Sequence, residues 1–189
     1  MRKSFLRIVL PALLISQLLM AQQNTRTIFL VRHAEKVSAA PDALLSPAGE
    51  KRAECLARTL KDSGIAQIYV SQVKRTQQTA APLAKALKIT PTVSEARDTT
   101  TLARNLLYGK GNILVVGHSD TLPVLLAQLQ GGKTVERIGD NDYDKLFIVT
   151  VNEGAGSAPA MLHYCEASPT TAPGMRPSAK KSTTPQKKQ

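Results

Sequence analysis

Two kinds of segment alternate along the chain. Short apolar runs occur at 27–31 (TIFLV), 67–71 (QIYVS), 112–117 (NILVVG), 145–151 (KLFIVTV) and 160–164 (AMLHY). They are continuous rather than alternating, the pattern of strands covered on both faces. Between them lie helical patterns at 47–64, 73–88, 100–109 and 121–132. In the first, Leu56 and Leu60 recur at i, i+4; Ser46 is placed as an N-cap, Pro47 suits the first helical position, and Gly64 ends it. Strand then helix, repeated, predicts an α/β fold: a three-layer α/β/α sandwich around a mostly parallel sheet. No helical pattern separates the last two strands, so one edge strand should be antiparallel. No internal repeat is visible.

The ends do not share this pattern. Residues 1–21 have a basic start (MRKSFLR), an apolar stretch broken by Pro11, and a small residue at Ala21. That is the order of a secretory signal peptide, too short for a membrane span, and it predicts a periplasmic or secreted protein with no stable membrane span after cleavage. No Cys follows the apolar stretch to accept a lipid. Residues 167–189 are rich in Ser, Thr, Pro and Lys without an apolar period, the composition of a disordered basic tail able to touch anionic surfaces. Residues 22–166 remain as one domain.

Charge narrows the partners. The 189 residues carry a formal net charge of +11, from 25 Lys and Arg against 14 Asp and Glu. Setting aside eight basic residues of the ends (Arg2, Lys3, Arg7, Arg176, Lys180, Lys181, Lys187, Lys188) and the acid at the tail boundary (Glu166) leaves 17 basic and 13 acidic residues, a net of +4. Aromatic residues make up 4% and Trp is absent, which removes the usual base-stacking platform. No nucleic-acid partner is expected. Cys55 and Cys165, far apart in sequence, are either a disulfide or two buried thiols; their spacing is not that of a metal site.

Candidate chemistry collects where strands end. In open α/β sheets ligands bind beyond the carboxyl ends of strands. TIFLV runs into Arg32, His33, Ala34 and Glu35; QIYVS is followed by Lys74, Arg75 and Thr76; NILVVG runs into His118, Ser119 and Asp120. Two guanidiniums and two imidazoles in one crevice need an anion to justify them. A phosphate suits, because Arg offers paired donors to its oxygens and a helix starting near Thr121 would add its positive end. A neutral His there can attack phosphorus, and the departing alkoxide needs a carboxylic acid nearby.

Taken singly, these residues have plainer roles. Arg32 and Glu35 would form a surface ion pair, Asp120 would cap a helix, and Arg75 would be solvated. His163 lies inside a strand and reads as structural; Asp142, Tyr143 and Asp144 read as a turn. GHSDT lacks the last Gly of a serine-hydrolase elbow, HAE lacks the Cys-x-x-Cys half of a zinc deaminase signature, and SQVK is a Ser-x-x-Lys without partner motifs.

LVRHAEK, LSPAGEKRAECLA, YVSQVKRTQQTAAPLA, VVGHSDTLP and DYDKLFIVTV, in that order and spacing, resemble the histidine phosphatase superfamily, the phosphoglycerate-mutase-like proteins, and in particular compact bacterial exported members. The resemblance runs over about residues 27–151. It implies a phosphomonoesterase acting through a phosphohistidine intermediate, with His33 as nucleophile and Arg32, Arg75 and His118 on the phosphate. It also implies the three-layer sandwich, no metal and no organic cofactor. Small phosphate esters and phosphoproteins both remain as substrates. Ala34 stands where the family usually has Gly, which should cost little unless the backbone there is left-handed. The proton donor stays open among Asp120, Glu35 and Glu95, and that uncertainty keeps a phosphate-binding module without turnover as the alternative.

Overall fold

In the computed structural model, residues 25–152 and 154–167 are described. The expected signal peptide and nearly all of the expected tail lie outside them. The chain runs β1 (Arg26–Arg32), α1 (Pro47–Leu60), β2 (Ile65–Ser71), α2 (Lys74–Leu87), β3 (Thr92–Ser94), α3 (Thr99–Tyr108), β4 (Asn112–Gly117), α4 (Thr121–Leu129), β5 (Lys145–Asn152), β6 (Ala155–Gly156) and β7 (Ala160–His163). The sheet order is β3-β2-β4-β1-β5-β6, with β7 also paired to β5.

Successive residues of β1 serve opposite layers. Ile28 and Leu30 pack with Ile113, Val115 and Val149 under Leu106 of α3 and Leu122, Leu126 and Leu129 of α4. Phe29 and Val31 pack with Ile68, Val70, Leu114 and Val116 under Leu56 and Leu60 of α1 and Leu83 of α2. Both faces are therefore dry, which is why the strand sequences are continuously apolar. Each fully buried Leu or Ile contributes about 1.5–3 kcal/mol.

Local signals account for the helix ends. Ser46 Oγ accepts from Gly49 N at 3.2 Å and Pro47 takes the first helical position. Asp98 accepts from Thr101 N at 3.0 Å at the start of α3. α2 ends on Lys88, with φ of 55°. β3 and β6 are three and two residues long and carry no apolar run, so no pattern announced them.

β1, β2, β3 and β4 are parallel, whereas β5 is antiparallel to β1 over six positions, and β6 and β7 are antiparallel to β5. The antiparallel part is thus larger than one edge strand. Its cause is the segment 130–144, which contains no helix or strand. It carries the chain from the end of α4 back over the carboxyl ends of the parallel strands before β5 begins, so β5 runs the other way.

Cys55 on α1 is bonded to Cys165 after β7, with Cα atoms 6.2 Å apart and 110 residues between them in sequence. Closing a loop of that size stabilises by about 4–5 kcal/mol in the chain-entropy account. The first turn of α1 lies hard against the segment after β1: a Cβ on Gly49 would come within 2.1 Å of the Glu35 carbonyl oxygen. Gly49→Ala should therefore destabilise the protein by more than about 2 kcal/mol, as overpacking against backbone does. A denaturant midpoint equal to that of the unsubstituted protein would contradict this close approach.

Candidate active site

Register places the chemistry. Arg32 ends β1 directly beside Gly117 at the end of β4, so His33 and His118 emerge side by side. Their rings lie 5.4 Å apart, centroid to centroid, at 62°. Gly117 allows α4 to start at once, since a Cβ there would meet Leu122 at 2.8 Å. Arg75 comes from the first turn of α2, just past the end of β2. Arg32, His33 and His118 are 6%, 3% and 7% exposed.

Hydrogen bonds set the protons of His33. Its Nδ1 lies 2.8 Å from the carbonyl oxygen of Ala34, which can only accept. Nδ1 therefore carries the hydrogen, and Nε2 keeps its lone pair. Ala34 is itself held: its N–H donates to Thr79 Oγ1 at 2.9 Å, and that hydroxyl donates to the Arg75 carbonyl at 2.7 Å. Ala34 is not among the residues with positive φ, so the missing glycine costs nothing in backbone conformation.

His118 has the opposite tautomer. Arg75 Nη2 only donates, so His118 Nδ1 accepts from it, at 3.3 Å. Nε2–H then donates to Ser71 Oγ at 2.9 Å, Ser71 passes its hydrogen to Thr76 Oγ1 at 2.9 Å, and Thr76 donates to the Val73 carbonyl at 2.8 Å. One direction of donation runs through the whole chain.

The arginines are fixed from behind. Arg32 Nη1 donates to the carbonyls of Gly139 and Asp140, both at 2.8 Å, and its guanidinium lies 4.3 Å from the Tyr143 ring centroid. Arg75 Nη1 donates to the Pro41 carbonyl. Burial and then the charge of Arg32 lower the proton affinity of Arg75. Burial, outweighing the Ala34 hydrogen bond and helped by Arg75 and Arg32, lowers His33 to about 3. Burial and Arg75 lower His118 to about 4, with Asp120 opposing. Both imidazoles are neutral at neutral pH beside two cations. A tetrahedral dianion is the ligand that two guanidiniums and a helix start would hold.

The surrounding crevice has a volume of about 630 Å³. Lys36, Arg97 and Arg137 add cations to its walls, and Glu95, Asp120 and Asp140 are its acids. Among the described residues, no group of three or more His, Cys, Asp or Glu is placed to hold a metal ion.

Residues 28–98 match the family model of the histidine phosphatase superfamily, branch 1. Over that part, 71 of its 189 residues, the chain is similar to the superfamily. The match includes His33 and Arg75 and stops short of His118. No curated protein matches the sequence. Solved structures share the fold. The protein histidine phosphatase SixA, complexed with tungstate, aligns at 22% identity and a TM-score of 0.60, over 72% of this chain and 96% of that one. A mycobacterial glucosyl-3-phosphoglycerate phosphatase aligns at 13% identity and a TM-score of 0.56, over 67% and 90%. A second mycobacterial protein, described as a hydrolase, aligns at 12% and 0.59, over 78% and 94%.

Around the crevice the candidate residues divide. Arg32, His33, Arg75, His118, Asp120 and Glu95 all line the crevice. Glu35 does not. Its carboxylate receives Arg52 Nε at 2.9 and 3.0 Å and Arg52 Nη2 at 2.7 Å, on the side of the loop that faces α1. The buried cation on α1 draws it away from the crevice, so the expectation that Glu35 could be the proton donor does not hold. Arg32 does not pair with Glu35 either. Asp120 sits at the N-cap of α4 but makes no side-chain capping bond, and it is exposed on the crevice wall. His163 pairs with Asp144 at 2.8 Å, outside the crevice.

Several roles escaped the sequence reading: those of Ser71, Thr76 and Thr79, which orient the histidines; of Pro41, which holds Arg75; and of Tyr143, read as part of a turn but stacked on Arg32. Thr76 and Thr79 are 0% exposed. Hydroxyls three residues apart on the apolar face of α2 were the available signal, since buried hydroxyls need partners.

The depressed histidines make stability depend on pH. Between their folded values and about 6.5, the unfolded chain binds protons that the folded one does not. Stability should therefore be full above pH 6.5 and fall as pH drops toward 4, by up to about 1.4 kcal/mol per pH unit for each histidine. Urea unfolding in phosphate-free buffer at pH 7 and pH 5 measures the slope, and His118→Gln should flatten it. An unchanged slope in that variant would show that His118 is not held neutral.

Proposed function

We propose that this protein is a phosphatase that hydrolyses phosphate monoesters through a phosphorylated His33. The observation that carries the reading is the His33–Ala34 hydrogen bond: it leaves a buried, uncharged imidazole with its Nε2 lone pair available beside two arginines. Nε2 attacks phosphorus as the P–O ester bond breaks, and the alkoxide leaves with a proton from a carboxylic acid. Water then attacks the phosphohistidine, gives its proton to the same carboxylate, and the P–N bond breaks to release phosphate. Arg32 and Arg75 neutralise the phosphoryl oxygens in both steps.

Asp120 is the better donor. It follows His118 by two residues, and its charge acts on both His118 and Arg75. Glu95 lines the same crevice from the far side of β2 without such coupling. The tungstate held by the structural relative SixA supports a tetrahedral oxyanion as ligand. The open crevice suits a phosphate carried on an exposed ester, whether on a small molecule or on a protein. The disulfide supports export to the periplasm or beyond, where such bonds persist.

The purified protein should hydrolyse an aryl phosphate without added metal, and rapid acid quenching with labelled substrate should trap phosphate on His33. His33→Ala should abolish turnover. Asp120→Asn should cost at least about a hundredfold on a poor alkyl leaving group and much less on an aryl one. Activity surviving His33→Ala would end the mechanism, and tight phosphate binding with no turnover would establish a binding module instead. In the native host, mature protein beginning after Ala21 should appear in the periplasmic or culture fraction; uncleaved cytoplasmic protein would contradict export.

A further inference from the structure

We propose that Arg52 and Glu35 are a positioning pair for the nucleophile and that the Cys55–Cys165 disulfide holds the pair in place. Neither residue touches the phosphate side of the site, yet both are anchored more firmly than a surface ion pair. Arg52 is 7% exposed, and its guanidinium makes three hydrogen bonds to the Glu35 carboxylate between 2.7 and 3.0 Å. Burial works against its charge, but Glu35 outweighs that and raises its proton affinity.

The consequence lies two residues upstream. The segment after β1 has polar groups tied down on either side of the Ala34–Glu35 peptide. Ala34 N–H is held by Thr79, and the Glu35 carbonyl accepts from Ser46 N at 2.9 Å. The Glu35 carboxylate is held by Arg52. What remains between these ties is the Ala34 carbonyl, which must face His33 Nδ1 to keep Nε2 unprotonated. Releasing Glu35 frees that peptide to rotate, and His33 then exchanges between tautomers. Only one of them is a nucleophile at Nε2.

The disulfide closes the circuit. Arg52 Nη1 donates to the Glu166 carbonyl at 3.0 Å. Glu166 follows Cys165, and Cys55 lies three residues beyond Arg52 on α1. The sulfur bridge thus clamps the C-terminal segment onto the helix at the point where its backbone caps the guanidinium. Reduction would remove that clamp, let Glu166 withdraw, and expose the ion pair to water, where such pairs hold geometry weakly.

The proposal rests on the phosphatase reading for its rate readout and on His33 itself for an independent one. Replacing the whole pair, Glu35→Met with Arg52→Met, leaves no buried unpaired charge, and such replacements commonly keep a fold intact. The double variant should lose about tenfold or more in kcat on an aryl phosphate, with KM within about twofold, because positioning rather than binding is lost. Arg52→Lys should recover part of the rate. The Cys55→Ser, Cys165→Ser variant should show the same kcat loss, as should the oxidised protein treated with dithiothreitol. In ¹⁵N spectra of the imidazoles, His33 should be a single Nδ1–H tautomer in the oxidised protein and a mixture in the variants. A folded double variant with unchanged kcat and an unchanged tautomer would overturn the positioning role. An unchanged serine variant would overturn the part assigned to the disulfide. If the oxidised protein shows no turnover at all, the phosphatase reading fails, and the imidazole spectra alone decide this proposal.

Discussion

The chemistry proposed for this molecule hangs on one hydrogen bond, from His33 Nδ1 to the carbonyl of Ala34. It is local, joining neighbours in sequence, but nothing local guarantees it. A carbonyl after a strand end can face many ways. Here it is held because β1 is pinned on both sides by β4 and β5, because α2 supplies Thr79 to the next N–H, and because α1 arrives close enough to grip Glu35. The two hydrophobic layers fix where those helices lie. Core packing thus becomes a constraint on the tautomer of a single imidazole, and that tautomer is the one the proposed attack by His33 needs.

Topology supplies the other half of the site. A helix after α4 would have carried the chain into another parallel strand and left the carboxyl end of β1 open. Instead, residues 130–144 cross that end as a loop. Their carbonyls at Gly139 and Asp140 and the ring of Tyr143 then occupy the back of Arg32. The antiparallel β5 is the visible trace of this crossing. Carbonyl oxygens orient the guanidinium without neutralising it, so its charge stays available to a phosphate.

Much of this was legible in the sequence for simple reasons. Apolar runs covered on both faces are continuous, and polar residues placed directly after them can only sit at the sheet's carboxyl edge, which located Arg32, His33, Arg75 and His118. The direction of Glu35 was not legible, because it depends on Arg52, seventeen residues away, in a helix that looked ordinary. Yet a clue was there. Gly49, Arg52, Ala53, Leu56 and Leu60 form the buried face of α1, so a cation stood in an apolar stripe and required a partner. The disulfide stayed one of two alternatives, since 110 residues separate its ends and only the folded sheet brings them together. β3 was too short to show a period. Tyr143 matters through a contact across the fold, where its turn-like neighbours carry no information.

Electrostatics explains why the surrounding structure is built so heavily. Arg32 and Arg75 repel each other, and both histidines are held uncharged against their ordinary tendency. Each of these conditions lowers the stability of the folded chain, since the charged or separated alternative is better solvated when unfolded. A flexible site would relax by turning the arginines outward or protonating an imidazole, and would lose the preorganised field that a phosphoryl group requires. This chain prevents such relaxation with carbonyls behind Arg32, a hydroxyl chain behind His118, an ion pair beneath the loop after His33, and a covalent bridge beneath that. The opposing terms meet at the same few residues, so the stiffness of the scaffold and the reactivity proposed for His33 are two aspects of one arrangement.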